Sequence, residues 1–252
     1  MENQSQILTK AQTTAFRNLK QSKFRKQEQL FLMEGTRLCQ EGLNSNLTIT
    51  ACITEKDFHK VDIPSGVPQY EATRLQMEQI SDSKNPQGII CIARIPEPVS
   101  FPAPEIGGVV LALDRLADPG NMGTIFRSAL WFGVKHILLG PGCVDPFSPK
   151  VVRSSMGAIA TLDIQSSDDL VQSLQDWTLA GGDAAVLHMV GEDLRSFRPE
   201  HGLMLVVGSE AHGVDPELLV SSKPVSIKRA GAGESLNAAM SASIALYELK
   251  GR

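Results

Sequence analysis

The sequence predicts an α/β protein in which a parallel sheet forms the larger, C-terminal part of the fold. Short runs that are apolar at every position, such as residues 109–113 and 203–207, alternate there with helical segments. Strands buried on both faces of a parallel sheet have this pattern. A proline-rich stretch, residues 96–104, separates this part from a smaller N-terminal α/β part.

The four prolines among residues 96–104 place the domain boundary. Proline fixes φ, cannot donate a hydrogen bond to a strand ladder and disfavours helix in the residue before it, so this stretch is typical of an extended linker. We predict an N-terminal domain at residues 1–95, a linker at 96–108 and a C-terminal domain at 109–252. Both domains have ordinary sizes.

The N-terminal domain alternates helical and strand-like segments. Helices are predicted at residues 9–21, 35–43 and 73–80. Strands are predicted at residues 29–33, 47–54 and 88–93. The alternation indicates a small α/β domain.

The C-terminal domain alternates more regularly. Strands are predicted at residues 109–113, 136–139, 184–188, 203–207 and 225–227. Helices are predicted before residue 132, at residues 168–179 and at residues 238–250. Since the strands are apolar throughout and helices separate them, we expect a parallel sheet covered on both faces.

Composition is that of a globular protein, with 42% hydrophobic and 21% charged residues. No segment approaches the ~18 unbroken apolar residues of a membrane helix, and the polar N-terminus does not resemble a secretion signal. The four cysteines contain no C-x-x-C pair. We therefore expect no metal site, no disulfide framework and a cytoplasmic location.

Charge is distributed unevenly along the chain. The formal net charge is −4, but residues 1–40 carry seven basic and three acidic side chains, a net charge of +4. Basic side chains near phosphates release counterions, so this segment fits a nucleic-acid partner. A solvated helix face is the alternative interpretation.

Three loops follow predicted strands, where open α/β sheets place their ligands. The first loop is residues 114–127, the second loop is residues 207–213 and the third loop is residues 227–237. Taken singly, each has an ordinary structural explanation: Asn121, Ser235 or Asn237 could cap a helix, and the glycines of the second loop could form a tight turn.

The glycine pairs of this chain do not have the spacing of familiar cofactor-binding motifs. Gly140 and Gly142 would need glycine at position 145 to complete G-x-G-x-x-G, and Asp145 stands there. The glycine pair of the third loop fails in the same way at Leu236. No Walker loop or H-E-x-x-H segment occurs, and the five histidines do not cluster. A nicotinamide dehydrogenase and a histidine-based hydrolase are therefore disfavoured.

In combination, the three loops resemble the ordered motifs of the SpoU-type RNA 2′-O-ribose methyltransferases, members of the SPOUT superfamily. The first loop contains D-P-x-N-x-G followed by R-S-A at residues 127–129, the second contains G-x-E-x-x-G, and the third contains S-L-N before an Ala-rich helix. The resemblance covers residues 109–252. It implies a SPOUT domain with a trefoil knot, and S-adenosyl-L-methionine as cofactor.

The N-terminal domain, with residues 31–37 and 87–90, is similar to the L30e-like RNA-binding domain that many of these enzymes carry. One position departs from the family pattern. The family usually has Ile-Pro entering the third motif, whereas this chain has Ile227 and Lys228. Proline's fixed φ is lost there, which puts the shape of the third loop near Lys228 in doubt.

The resemblance also implies roles for individual residues. Those assigned to catalysis are Arg127, Asn121, Glu210, Ser235 and Asn237. Those assigned to cofactor binding are Gly208, Ile227, Leu236, Val207 and Gly213. Arg127 would act at the ribose and its phosphate, because a guanidinium matches phosphate geometry and can stabilise developing oxyanion charge. The other catalytic residues would orient Arg127 and the ribose or shape the loops.

The implied function is 2′-O-ribose methylation of RNA, most consistent with ribosomal RNA. The alternatives are a transfer-RNA methyltransferase of the same family and a non-catalytic RNA-binding protein with the same fold. The resemblance further implies a homodimer. The sequence of the last helix gives partial support, since residues 238–247 carry few charges on any face.

Overall fold

A computed structural model describes residues 5–209 and 213–251 of the chain. The chain divides into two units, and the division is not a single cut. The N-terminal unit consists of Met1–Glu97 together with Asp145–Thr161, and the C-terminal unit consists of Pro98–Val144 together with Leu162–Arg252. The predicted C-terminal domain ran without interruption from 109 to 252, so the assignment of Asp145–Thr161 to the N-terminal unit differs from it.

The secondary structure follows the chain through both units. The first part of the N-terminal unit contains β1 (Gln6–Ile7), α1 (Lys10–Asn18), α2 (Ser22–Glu28), β2 (Leu30–Glu34), α3 (Thr36–Leu43), β3 (Ile49–Glu55), β4 (Gln69–Ala72), α4 (Arg74–Ile80) and β5 (Ile89–Arg94). The C-terminal unit begins with β6 (Val109–Asp114), α5 (Pro119–Trp131) and β7 (His136–Leu139). The chain then adds α6 (Pro149–Ser154) and a 3-10 turn (Ala158–Ala160) to the N-terminal unit. It returns to the C-terminal unit with β8 (Asp163–Ser166), α7 (Leu170–Leu179), β9 (Asp183–Asp193), β10 (Leu203–Gly208), α8 (Pro216–Val220), β11 (Lys223–Ser226) and α9 (Ala238–Lys250).

The N-terminal unit is built on a mixed five-stranded sheet in the order β1-β4-β3-β5-β2. β5 pairs antiparallel with β2 and with β3, and β4 pairs parallel with β3 and with β1. One face of the sheet buries a hydrophobic cluster that includes Leu32, Ile53, Ile90 and Ile92. The alternate positions of the same strands face the other side, as period-two strands require.

Helix starts in this unit follow capping chemistry. Thr9 caps α1 and Thr73 caps α4, and in each case a glutamine three residues later completes a capping box. The helix predicted at residues 9–21 is shorter in the structure, because α1 ends at Asn18 and a separate α2 begins at Ser22. The sequence pattern did not distinguish one helix from two.

Asp145–Thr161 packs into the N-terminal unit through apolar side chains and two ion pairs, Arg25–Asp145 and Arg153–Asp82. Val151 and Val152 of α6 are buried, and the rings of Phe147 and Phe31 lie 5.0 Å apart. Asp145 Oδ2 accepts hydrogen bonds from Nε of Arg25 at 3.0 Å and from its Nη2. Since Arg25 is only 3% exposed, this carboxylate compensates a buried positive charge.

The C-terminal unit contains a six-stranded sheet in the order β11-β9-β10-β6-β7-β8, and every neighbouring pair is parallel. The predicted parallel sheet is confirmed. The central strands β6 and β10 are buried along most of their length, and their side chains pack against α7 and α8 on one face. The short elements β8 and α8 were not predicted, because neither has a long enough pattern to stand out.

Among the described residues, no helix is both long and apolar enough to cross a membrane.

The Arg25–Asp145 pair makes a prediction about stability. Replacing Asp145 by alanine leaves a buried guanidinium without its partner, so the free energy of unfolding falls by about 3–5 kcal/mol in urea titrations. The matched control is Asp82→Ala, which breaks the ion pair between Asp82 and Arg153 at 3.2 Å, where both side chains are about 40% exposed. We expect that change to cost less than about 1 kcal/mol. Equal losses in the two variants would contradict a special role for the Arg25–Asp145 pair.

Candidate functional site

The first and second loops begin side by side at the carboxyl ends of β6 and β10. These strands pair in parallel over six residues, and the last pair joins Asp114 to Gly208. Ligands of open α/β sheets bind at this edge. The chain therefore brings the loops starting at Asp114 and Gly208 together, although they are about ninety residues apart in sequence.

A side-chain hydrogen bond connects the first loop to the third. Asn237 Nδ2 donates to Asn121 Oδ1 at 3.0 Å. Asn237 also caps α9, since its Oδ1 accepts from the backbone N–H groups of Ala239 and Met240. Asn121 does not cap α5. Asp118 does so, accepting from the N–H of Asn121 at 2.8 Å.

Helices α5 and α9, which begin in these loops, pack against each other. Ser128 and Ser243 are joined by a 2.7 Å hydrogen bond between their hydroxyls, and Ala129 and Ala242 are fully buried. Arg127 lies on α5 beside Ser128 but is exposed. Arg127 therefore lies on a helix that packs against α9, and its own side chain is exposed to solvent.

A cavity of about 840 Å³ lies between the second and third loops. All five residues predicted to bind the cofactor line it: Val207, Gly208, Gly213, Ile227 and Leu236. Ser235, predicted to act in catalysis, also lines it. The structure thus gathers these residues around one volume, and their roles stay predictions.

The described residues at the two ends of the second loop lie close together. Gly213 N–H donates to Ser209 O at 2.9 Å. A Cβ atom on Gly208 would lie 2.5 Å from Val214 Cγ2 and 2.7 Å from Gly213 O, so only glycine fits there. Glu210, the remaining predicted catalytic residue, lies outside the described residues.

Asp114 anchors the far end of the second loop, a role that the sequence analysis missed. The residue is 4% exposed, and its Oδ2 accepts hydrogen bonds from the N–H of Asp215 at 2.9 Å and from Nη2 of Arg115 at 3.1 Å. The chain after Gly213 is therefore tied to the end of β6. An acid directly after five apolar strand residues was the available signal.

A further wall of the cavity was also missed. His188, Met189 and Val190 of β9 line it. β11 pairs with β9 in two parts, with Pro224 opposite Val186 and Val225 opposite Glu192, so residues 187–191 have no ladder partner on β11. In this part of β9, Met189 is 67% exposed and Val190 is 75% exposed. The local sequence did not predict this interruption of the ladder, because its position depends on how β9 pairs with β11.

Lys228 and Arg229 place two positive charges in the lining of the cavity. Arg229 Nη1 donates to Gly233 O at 3.1 Å and so closes a short stretch of the third loop on itself. The pKa of Asp193 is lowered to about 2, chiefly by hydrogen bonds from Arg195 and in smaller part by the charge of Lys228. The position usually held by proline therefore carries a cation beside the cavity.

Within residues 5–209 and 213–251, no group of three or more histidine, cysteine or acidic side chains is arranged to hold a metal ion.

The glycine at position 208 makes a prediction about stability. Gly208→Ala places a methyl group against the main chain of Gly213, so we expect a loss of about 1–3 kcal/mol in unfolding free energy. Gly231→Ala is the matched control in the third loop, because no atom lies within 4 Å of its added Cβ. Urea titration of both variants tests the difference. A tolerated alanine at 208 would mean that the turn can relax around it.

Comparison with known proteins identifies the family. Residues 108–247 match the SpoU rRNA Methylase family, and residues 11–91 match the MRM3-like substrate binding domain. An uncharacterized tRNA/rRNA methyltransferase of Synechocystis is 32% identical over 93% of this chain and 88% of its own length. The Bacillus subtilis 23S rRNA (guanosine(2553)-2′-O)-methyltransferase RlmP is 29% identical, with 94% of each chain covered. The AdoMet-bound rRNA methyltransferase from Sinorhizobium meliloti superposes with a TM-score of 0.85 at 27% identity, covering 98% of this chain and 96% of the other. The chain belongs to the SpoU rRNA methylase family.

Proposed function

We propose that this protein transfers a methyl group from S-adenosyl-L-methionine to a ribose 2′-hydroxyl of ribosomal RNA. The observation that carries the proposal is the cavity between the second and third loops, whose lining residue Leu236 directly precedes Asn237, the donor of the hydrogen bond to Asn121. A relative named for 2′-O-methylation of 23S rRNA and the match to a substrate-binding domain support ribosomal RNA as the substrate.

The cavity fits the cofactor in size and chemistry. Its volume lies within the range of about 300–1,000 Å³ that small-molecule sites occupy. Met189, Val190 and Leu236 form an apolar wall for an adenine ring. Ser209 and Ser235 provide hydroxyl groups. The glycines of both loops let a ligand approach the main chain closely. When bound, the cofactor supplies an electrophilic methyl group on a sulfonium centre.

The protein's part in the reaction is to position the ribose and stabilise charge. Arg127 binds the phosphate next to the target ribose through its planar guanidinium, and it stabilises negative charge that develops on the 2′-oxygen. Its helix is held against α9 by the Ser128–Ser243 hydrogen bond, so the guanidinium approaches from a rigid support. By holding the ribose in place relative to the cofactor, the protein would supply much of the rate acceleration.

Asn121 and Asn237 act together in this proposal. Their hydrogen bond connects the helix carrying Arg127 with the loop carrying Ser235 and Leu236. Glu210 and Ser235 complete the set that orients the ribose and shapes the second and third loops.

Arg127→Ala tests this assignment. We expect kcat for methyl transfer to fall more than tenfold, which is at least about 1.4 kcal/mol of transition-state stabilisation. Cofactor affinity by calorimetry and the unfolding midpoint should stay unchanged, because Arg127 is exposed and does not line the cavity.

Lys135→Ala, another exposed cation of the C-terminal unit, is the matched control. Cofactor binding that is undetectable at millimolar concentration in the wild-type protein, with and without RNA, would refute the proposed function. Normal kcat in Arg127→Ala would refute only the role of the arginine.

The N-terminal unit supplies RNA affinity in this proposal. Not all of its early basic residues are available for phosphates. Arg25 is buried against Asp145, and Lys20 Nζ donates to the carbonyls of Gln79 and Ser81 near the end of α4. Exposed cations remain on α1 and α2, among them Arg17, Lys23 and Lys26. These are the side chains on which counterion release would depend.

Lys23→Glu/Lys26→Glu should weaken RNA binding and lower the slope of log affinity against log salt by roughly 1–2. Filter binding over a salt series measures both quantities. Removal of residues 1–95 is a poorer test, because it would expose the buried apolar residues of α6 and leave Asp145 without Arg25. An unchanged salt slope would mean that these lysines face only solvent.

The homodimer, the trefoil knot and the cytoplasmic location are part of the same proposal. Exposed apolar side chains on α5 and α9 support a dimer through this helix pair: Trp131 is 81% exposed, Met240 56% and Tyr247 59%. The trefoil knot rests on the family to which the C-terminal domain belongs. The absence of a C-x-x-C pair agrees with a reducing cytoplasm.

Met240→Arg should convert the dimer to a monomer of 27.3 kDa in sedimentation experiments, since a charge would be buried in the apolar contact. Ala242 is a poor target, because it is fully buried within its own chain and a larger side chain there would damage the fold. The matched control is Leu179→Arg, at the 85% exposed end of α7. A wild-type protein that is monomeric at micromolar concentration, or a Met240→Arg variant that still dimerises, would contradict this interface.

A further inference from the structure

Three of the four cysteines lie together in the core of the N-terminal unit. Cys39 of α3, Cys52 of β3 and Cys91 of β5 are all 0% exposed. The sulfur atoms of Cys52 and Cys91 are 3.1 Å apart, and Cys39 Sγ donates to Met33 O at 3.2 Å. None of these thiols has a part in the proposed function, so their proximity calls for a separate explanation.

The backbone geometry places Cys52 and Cys91 as a facing pair. They stand opposite each other in the antiparallel pairing of β3 with β5. The N–H of Cys52 points away from β5 and donates to Pro68 O at 2.8 Å, whereas the N–H of Glu55 donates across to Gly88 O at 3.0 Å. Because the two kinds of pair alternate along an antiparallel ladder, Cys52 and Cys91 form a non-hydrogen-bonded pair.

Non-hydrogen-bonded pairs bring the two Cα atoms to about 4.5 Å, with both side chains on the same face of the sheet. Disulfides bridge Cα atoms that are about 4.4–6.8 Å apart. The strands therefore already hold these two residues at a separation that a disulfide spans, and bridging them requires little more than rotation of the side chains.

We propose that Cys52 and Cys91 are a site of reversible two-electron thiol oxidation, at which a disulfide joins β3 to β5. With an azodicarboxamide as the oxidant, one thiolate adds to the N=N bond and forms a sulfur–nitrogen bond. The second thiolate attacks that sulfur, the sulfur–sulfur bond forms and the sulfur–nitrogen bond breaks. The oxidant takes up two electrons, and the two thiol protons end on the hydrazine product.

The surroundings of Cys91 determine how the rate of this reaction depends on pH. Hydrogen bonds with the Cys39 and Cys52 thiols, together with burial, raise the pKa of Cys91 well above its ordinary value. The thiolate is the reactive form, so the bridge forms slowly at neutral pH and faster as the pH rises. Cys39 lies beside the pair as a neighbour that could compete for Cys91.

The test treats the full-length native protein with azodicarboxamide, below and above the ordinary thiol pKa of about 8.5. Free thiols are then alkylated in denaturant, and the digest is examined by mass spectrometry without reduction. We expect a Cys52–Cys91 cross-linked peptide, with Cys39 and Cys143 alkylated. We also expect a higher thermal midpoint that reducing agent reverses, because a cross-link restricts the unfolded chain.

Two alanine variants test whether the disulfide joins Cys52 to Cys91 specifically. Cys91→Ala should abolish the bridge, and the matched Cys39→Ala variant should keep it. A bridge between Cys39 and Cys91 in the wild-type protein would overturn the proposal. So would a bridge that forms only in denaturant, or the absence of any bridge at both pH values. These outcomes do not bear on methyl transfer, so they leave the proposed function standing.

Discussion

The parallel pairing of β6 with β10 is the constraint on which the rest of the site depends. Six consecutive residue pairs, ending at Asp114 and Gly208, bring the starts of two distant loops to the same sheet edge. The Asp114 carboxylate then holds the chain that leaves the second loop, through the N–H of Asp215. A slip of one residue in this register would turn the strand side chains to the opposite face and separate both loops.

From that edge outward, the site is organised mainly by main-chain geometry and a few polar side chains. Glycine at position 208 permits the tight approach of residues 213 and 214, and the Asn121–Asn237 hydrogen bond connects two helices at their first turns. The packing of α5 against α9 holds the helix that carries Arg127. Among the described residues that line the cavity, Lys228, Arg229 and Glu234 carry charge, and most of the others are apolar or glycine.

The N-terminal unit shows how a second unit can be stabilised by a segment from the middle of the chain. Asp145–Thr161 leaves the sheet of the C-terminal unit after β7, contributes buried side chains to the N-terminal unit and returns before β8. The Arg25–Asp145 ion pair favours this arrangement, because a buried guanidinium without a charged partner would destabilise the fold. One of the basic residues expected to contact nucleic acid is thereby committed to the fold.

The sequence alone determined the α/β class, the parallel sheet, most of the long helices and the family. Its ordered motifs located the second and third loops, which line the cavity, and the first loop, which is hydrogen-bonded to the third, because those loops depend on local requirements for glycine, helix caps and strand ends. It did not reveal the split of α1 from α2, the membership of Asp145–Thr161 in the N-terminal unit, the wall formed by His188–Val190 or the role of Asp114. The last three of these are decided by partners far away in the chain: residues 187–191 have no ladder partner on β11, Asp215 donates a hydrogen bond to Asp114, and Arg25 pairs with Asp145. Such contacts leave no periodic signal in the sequence, so only the tertiary structure decides them.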